Sequence, residues 1–483
     1  MAVYLPPFRV DLERWCEWTG NDPAKTHAVV GHAFRMPGVD QNVYALAANA
    51  VLRLIAQYDI NPRRVGYLAL GTESSIDNAA GAVIVRGLVD QALTFEGRHA
   101  LARDCEVPEF KHACLGGVYA LKGGLRYLAC DGRGRQAIVV SADIAEYARG
   151  SSGEPTQGAG AVAMLLESAP RLLQLDLAMA GSASEYRGLD FRKPFLRFAG
   201  QTPGMHGHLR DLPVFNGKYS TDCYTDATLG ALDAMFARRT GLRAAYLRGL
   251  AAAFMHRPYH RMPRNAWAMA YLAALGHDAV QGDADAAREL DGYCAAAGVS
   301  RDDVMREWQH GVDGCGDHAL PEDAYPAASA VLKVFRKSGA HERVVEDALR
   351  TGSDAMMEFG NLYTAALPAW LAAGLDDAAS GGVELDGRDL LVLGYGSGDA
   401  AEAIPARVVP GWRNAVRAMH FRDALAGAVD LDETGYAALH DCVVQDGVRM
   451  RASSGVVIDH VGERNEHAFQ DFGVAYYRYL GRV

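Results

Sequence analysis

Two periods of hydrophobicity alternate along this chain. From Gln41 to Gln57 apolar residues recur at helical spacing, whereas Val65 to Leu70 is a short, continuous apolar run that stops at Gly71-Thr72-Glu73. The first pattern predicts a helix and the second a buried strand. Residues 78–93 return to the helical period. So does Leu115 to Ala129, which carries the pairs Gly116-Gly117 and Gly123-Gly124. A glycine inside a helix costs about 1 kcal/mol relative to alanine, so the paired glycines predict a buried helix with neighbouring backbone close by. Ala137 to Asp143, Ala159 to Leu166 and Leu172 to Ala180 read as further strands.

The later part repeats the alternation more loosely. Ala251 to Met255 predicts a strand leading into His256, Leu362 to Ala373 a helix, and Leu390 to Leu393 and Ala403 to Val409 two strands around Gly394-Tyr395-Gly396-Ser397-Gly398. Helical, charged sequence fills residues 263–352. Strand–helix alternation in both parts predicts an α/β fold of two related halves.

Composition narrows the function classes. With 483 residues, 49% hydrophobic and 22% charged, the chain suits a globular protein with a large core. Its net charge is -11 and it has no Lys/Arg run, which argues against nucleic acid and anionic membrane as partners. No apolar stretch reaches the roughly 18 residues that a membrane span needs, and Met1 to Pro7 does not read as a signal peptide. The eight cysteines, at 16, 105, 114, 130, 223, 294, 315 and 442, form no CxxC pair. Their irregular spacing argues against a zinc ribbon or disulfide framework and predicts a reducing, cytoplasmic setting. His256 and His260 stand four apart, but Pro258 between them spoils a helical ligand pair, and His206 and His208 lie in a Gly/Pro-rich stretch. The expectation is no metal.

Three residue types with useful chemistry fall where strands are predicted to end, which is where α/β folds build sites. Cys114 sits between an extended segment and the glycine-punctuated helix, so the helix N-terminus is expected to favour its thiolate, a nucleophile that forms thioesters. Glu73 follows the first apolar strand, and His256 follows Ala251 to Met255.

The segments around these residues resemble those of the hydroxymethylglutaryl-CoA synthase family, a branch of the thiolase-like condensing enzymes. Gly71-Thr-Glu73 is similar to the family's Gly-Thr-Glu, and Ala113-Cys114-Leu-Gly-Gly117 to its Ala-Cys-Tyr-Gly-Gly. Ala142-Asp143-Ile-Ala-Glu-Tyr147 resembles Gly-Asp-Ile-Ala-x-Tyr, and Pro155-Thr156-Gln-Gly-Ala-Gly-Ala161 resembles Pro-Thr-Gly-Gly-Ala-Gly-Ala. Further on, Phe215-Asn-Gly-Lys-Tyr-Ser220, Met255-His256-Arg-Pro-Tyr259, Gly360-Asn361-Leu-Tyr363-Thr364 and Tyr395-Gly396-Ser397-Gly398 follow in family order. The resemblance runs from near Tyr4 to about Val409 and is densest from Val65 to Glu167.

The resemblance implies a five-layer αβαβα sandwich of two pseudo-equivalent halves, residues 1–170 and 171–410, with a poorly matched extension at 411–483. It implies an acyltransferase that uses CoA thioesters as substrates, needs no cofactor and forms a homodimer. Cys114 would carry an acetyl group, Glu73 would be the general base, and His256 would orient acetoacetyl-CoA, giving 3-hydroxy-3-methylglutaryl-CoA. Asn361, Ser397, Tyr147, Thr156, Tyr363, Arg261 and Gly396 would contact substrate, with the Cys114 and Ser397 N–H groups stabilising the oxyanion. Alternatives are a β-branching synthase of natural-product biosynthesis, acting on an acyl-carrier-protein-bound β-ketoacyl group, and a non-catalytic scaffold. The chain departs from the family at His112, Leu115, Gln157, Arg261, Asp399 and Glu402. These departures are expected to cluster near the substrate.

Overall fold

A computed structural model describes residues 1–75, 80–193, 212–312, 323–442 and 450–482. His206, His208, Cys315 and the start of the helix expected from residue 78 lie outside these.

The continuous apolar runs become two mixed sheets. In the first, β1 (Ala2–Tyr4), β2 (Val65–Gly71), β3 (Glu109–Phe110), β4 (Gln136–Ala145) and β5 (Gly158–Leu166) lie in the order β1-β5-β4-β2-β3. Strand β4 runs parallel to β2, with Leu68 opposite Ile138, and antiparallel to β5, with Val139 opposite Met164. The second sheet contains β6 (Leu173–Leu175), β7 (Gly181–Ser184), β8 (Ala252–Met255), β9 (Asp389–Gly396) and β10 (Ala400–Val408). Its order is β8-β9-β10-β6, with β7 also pairing β10. The strand expected over Leu172 to Ala180 is only three residues long. The Asp176 carboxylate accepts the N–H groups of Ala178 (3.1 Å) and Met179 (3.2 Å). That local turn outcompetes the ladder.

Helices complete five layers. On the outer face of the first sheet lie α1 (Val43–Gln57) and α2 (Gly81–Phe95). Between the sheets lie α3 (Gly116–Ala129) and a later helix whose first turn, Tyr363–Ala365, is 3₁₀. On the outer face of the second sheet lies α4 (Gly217–Phe236), backed by α5 (Arg261–Val280). The later central helix is α6 (Ala366–Ser380). The paired glycines of α3 serve close packing as expected. A Cβ on Gly71 would lie 2.4 Å from the Gly117 Cα, and one on Gly117 would lie 2.2 Å from Ser141 Oγ. The end of β2 and the start of α3 therefore touch backbone to backbone.

The charged stretch after His256 forms helices, α5 and then Ala284–Ala297, Arg301–His310 and Pro326–Phe335, which pack on α5. Residues beyond 410 fold back onto the first half. Val429–Asp430 joins a small sheet with Phe8–Asp11 and Ala33–Met36. Helix α7 (Glu433–His440) packs Tyr436 and Leu439 against Trp15, Phe34 and Met36.

Candidate active site

The contact between β2 and α3 fixes the two central groups. Glu73 lies two residues beyond the end of β2, and Asp143 on β4 holds the turn that carries it. Asp143 Oδ1 accepts from Thr72 Oγ1 (2.9 Å), Glu73 N (2.8 Å), Ser74 N (2.9 Å) and Ser74 Oγ (2.6 Å). Its other oxygen accepts from the N–H (2.9 Å) and hydroxyl (2.5 Å) of Thr364, just ahead of α6. One carboxylate thus ties the Glu73 turn to the segment that carries Asn361 and Tyr363.

Cys114 follows Ala113, whose φ of 41° turns the chain sharply before α3. The Cys114 thiol donates to Glu73 Oε2 at 3.4 Å. Here the expectation of a ready thiolate fails. Burial pushes the thiol well above its ordinary pKa, and the Glu73 and Asp143 carboxylates add to that effect. Cys114 also precedes the first turn of α3, which starts at Gly116. The group nearest the sulfur is an acceptor rather than a cation, so the resting residue is a thiol.

His256 leaves β8 and is 2% exposed. Its N–H donates to Leu393 O (2.8 Å), its carbonyl accepts from Tyr224 Oη (2.7 Å), and its ring stacks on Tyr395 at 6.4 Å. Burial pushes its pKa down to about 3 from 6.5, so the imidazole is neutral. Asn361 is held by its own N–H, which donates to Thr156 O (2.9 Å), and its side-chain oxygen accepts the Tyr363 N–H (2.9 Å).

These residues meet at a cavity of about 300 Å³ lined by Cys114, His256, Asn361, Tyr147, Thr156, Tyr363 and Ser397. Glu73 stands beside Cys114 rather than in the cavity wall. Gly396 lies behind the wall: a Cβ there would be 2.6 Å from His112 O and 2.8 Å from Leu115 Cβ, so its smallness lets the Tyr395–Gly398 turn press against the nucleophile segment. Arg261 is exposed at the start of α5, and its neighbours Tyr259 and Met262 reach the cavity. A larger cleft of about 970 Å³ elsewhere holds none of the predicted residues.

None of the six family departures lines the cavity itself. Leu115 is fully buried and packs against Gly394 and Gly396. His112 sits edge-on to Tyr119 at 5.4 Å. Asp399 pairs with Arg187 at 2.7 Å, and Glu402 pairs with Lys122 at 2.6 Å. Sequence reasoning missed Asp143 as the residue that holds the Glu73 turn. It also missed Asp190, whose Oδ2 accepts from Tyr395 Oη (2.8 Å) and Gly398 N (3.0 Å) and whose buried Oδ1 has no hydrogen-bond partner among the described residues.

The neutral His256 predicts a pH effect. Its folded pKa lies below the unfolded value, so its contribution to stability is complete above pH 6.5 and is lost as pH falls toward about 3. The expected slope is about 1.4 kcal/mol per pH unit. In thermal unfolding between pH 6.5 and 4, His256→Asn should fall less steeply than the unchanged protein. Equal slopes would contradict a buried neutral imidazole.

Layered sheets around two central helices, with a cysteine at the start of one of them and a His and Asn facing it, define a thiolase-like condensing enzyme. Comparison with known proteins narrows this. The family model described as hydroxymethylglutaryl-coenzyme A synthase N terminal matches residues 1–170. A hydroxymethylglutaryl-CoA synthase of Haloferax volcanii is 28% identical over 430 residues, covering 87% of this chain and 85% of the relative. That of Enterococcus faecalis is 31% identical over 268 residues, covering 55% and 62%. The solved structure of MvaS in complex with 3-hydroxy-3-methylglutaryl coenzyme A superposes with a TM-score of 0.74 at 26% identity, covering 99% of this chain and 97% of that one. A curacin-pathway HMG synthase in complex with acetyl donor-ACP shares the fold, with a TM-score of 0.68 at 18% identity over 99% and 98%. Residues 1–170 thus match the hydroxymethylglutaryl-CoA synthase family model, and the chain is similar to members of that family along most of its length.

Proposed function

We infer that this protein condenses an acetyl group, carried on Cys114, with acetoacetyl-CoA to give 3-hydroxy-3-methylglutaryl-CoA. The observation that carries the reading is the Cys114 thiol bonded to Glu73 at 3.4 Å, beside a cavity whose other walls bring His256 and Asn361.

The Cys114 sulfur attacks the acetyl thioester, its proton passes to the departing CoA sulfur, and CoA leaves as the thiol. The Glu73 carboxylate removes a proton from the methyl group of the enzyme-bound acetyl. The N–H groups of Cys114 and Ser397 are the candidates to hold the enolate oxygen, at about 3 kcal/mol per donor. The enolate carbon adds to the ketone of acetoacetyl-CoA. A neutral His256 can donate only one ring N–H, which suits polarising that ketone without adding charge to a dry site. Protonated Glu73 returns its proton to the new alkoxide, and water cleaves the Cys114 thioester to regenerate the thiol. The sequence balances with two thioesters and one water.

The remaining site residues take supporting roles in this reading. Asn361 holds the acceptor, Tyr147, Thr156 and Tyr363 shape the acyl end, Gly396 backs the oxyanion turn, and Arg261 meets the CoA phosphates or pantetheine arm. The protein acts as a cytoplasmic homodimer. No described helix is long and apolar enough to cross a membrane.

The carrier-protein alternative draws support from the shared fold of the curacin-pathway enzyme, and it differs in what loads Cys114. Acetyl-CoA loading followed by discharge with acetoacetyl-CoA separates the two readings, as set out at the end of the Discussion.

A further inference from the structure

Helix α7 reaches the cavity wall through one of the family departures. Gln157 Oε1 accepts the Tyr147 N–H at 3.1 Å, and Gln157 Nε2 donates to Tyr436 Oη at 3.1 Å. The Tyr436 hydroxyl donates in turn to Glu154 Oε1 at 2.6 Å. Glu154, 1% exposed, also accepts from Trp15 Nε1 (3.2 Å) and Gly150 N (2.6 Å). One turn beyond Tyr436, His440 Nε2 bonds to the Tyr147 carbonyl at 2.9 Å, and a carbonyl only accepts, so the imidazole donates.

Tyr147 lies just past the end of β4, where its backbone has left the ladder. Its N–H and its C=O are nonetheless both held by buried side chains, Gln157 on one side and His440 on the other. Its ring packs in one apolar cluster with Cys114, Tyr363, Phe191 and Phe215. The backbone clamp therefore decides where that ring sits relative to the sulfur.

We propose that Gln157 and His440, joined through Tyr436, are positioning residues that clamp Tyr147 over Cys114 and shield the sulfur from water and small electrophiles. The shielding of an acetyl thioester rests on the function inferred above; the shielding of the thiol itself does not. On this account the 411–483 segment helps to build the site, and Gln157 is the link that joins it.

The test uses the full chain with Gln157→Leu, which loses both bonds, His440→Phe, which keeps ring volume but loses the donor, and His440→Gln, whose amide reaches the same carbonyl. The first readout is the rate of iodoacetamide alkylation at Cys114, followed by peptide mass mapping because Cys130 and Cys442 are exposed. Loss of one neutral hydrogen bond should open the cover about fivefold more often. Alkylation should therefore rise about fivefold in Gln157→Leu and His440→Phe and fall back in His440→Gln. The second readout is the ratio of hydrolysis to condensation of the acetyl-enzyme, which does not depend on the folded fraction. It should rise by a similar factor. Variants that fold with unchanged alkylation and an unchanged ratio overturn the proposal, whatever their loss of stability. A wild-type protein that acetyl-CoA does not load sinks the function reading alone, because alkylation still decides the clamp.

Discussion

Glu73→Gln should retain acetylation of Cys114 and lose condensation by about 10²–10⁴-fold. The amide cannot take a proton from the acetyl methyl or return one to the alkoxide. It also removes a charge that holds the Cys114 thiol protonated, so loading should persist while turnover collapses. The fold should survive, because the Glu73 turn is fixed by Asp143 through Thr72, Ser74 and the Glu73 backbone rather than by the Glu73 carboxylate. Stability should stay within about 0.5 kcal/mol. Single-turnover mass spectrometry that finds loading and condensation slowed equally would remove Glu73 from the enolisation step.

The largest stability effect is expected at the buried pair between Lys122 and Glu402. Lys122 lies on α3, two turns past Cys114, and Glu402 lies on β10 of the second sheet, so their 2.6 Å bond crosses from one half to the other. Glu402 is 2% exposed and also accepts from Ser182 Oγ at 2.8 Å. Removing one partner strands the other charge out of water. Lys122→Met should cost about 3–5 kcal/mol in denaturant unfolding. The double variant with Glu402→Leu should recover most of that loss, because an apolar pair of similar volume leaves no stranded charge. Additive losses in the double variant would show that the pair is not the unit of stability.

Glu73 and His256 were legible as candidates because each follows a strand that its own hydrophobic pattern marks, and Cys114 because it precedes the glycine-punctuated helix. Gly117 was legible as a close-approach position, although which backbone approaches it is set by packing, and the tight contacts at Gly71 and Gly396 emerge only in the fold. What the chain did not reveal is what its topology assembles. Asp143 reads as a strand residue in sequence and becomes the anchor of two segments only when β2, β4 and the start of α6 converge. Asp190 follows an irregular stretch with no period at all. The thiolate expectation for Cys114 failed because helix-end electrostatics is a local argument, while burial and the neighbouring carboxylate are tertiary. The six departures seemed to concern substrate because they adjoin family motifs. In space they face the core, Arg187, Lys122, Tyr119 or solvent, and the Gln157 side chain bonds to a residue of the cavity wall, Tyr147.

The most direct measurement is intact-protein mass after brief mixing with acetyl-CoA, followed by a chase with acetoacetyl-CoA, with Cys114→Ser as control. The account predicts one acetyl group gained on the wild type and none on the variant. It further predicts that the chase removes that group and releases an equal amount of 3-hydroxy-3-methylglutaryl-CoA. An acetyl group that persists through the chase, or one that Cys114→Ser also acquires, would contradict it.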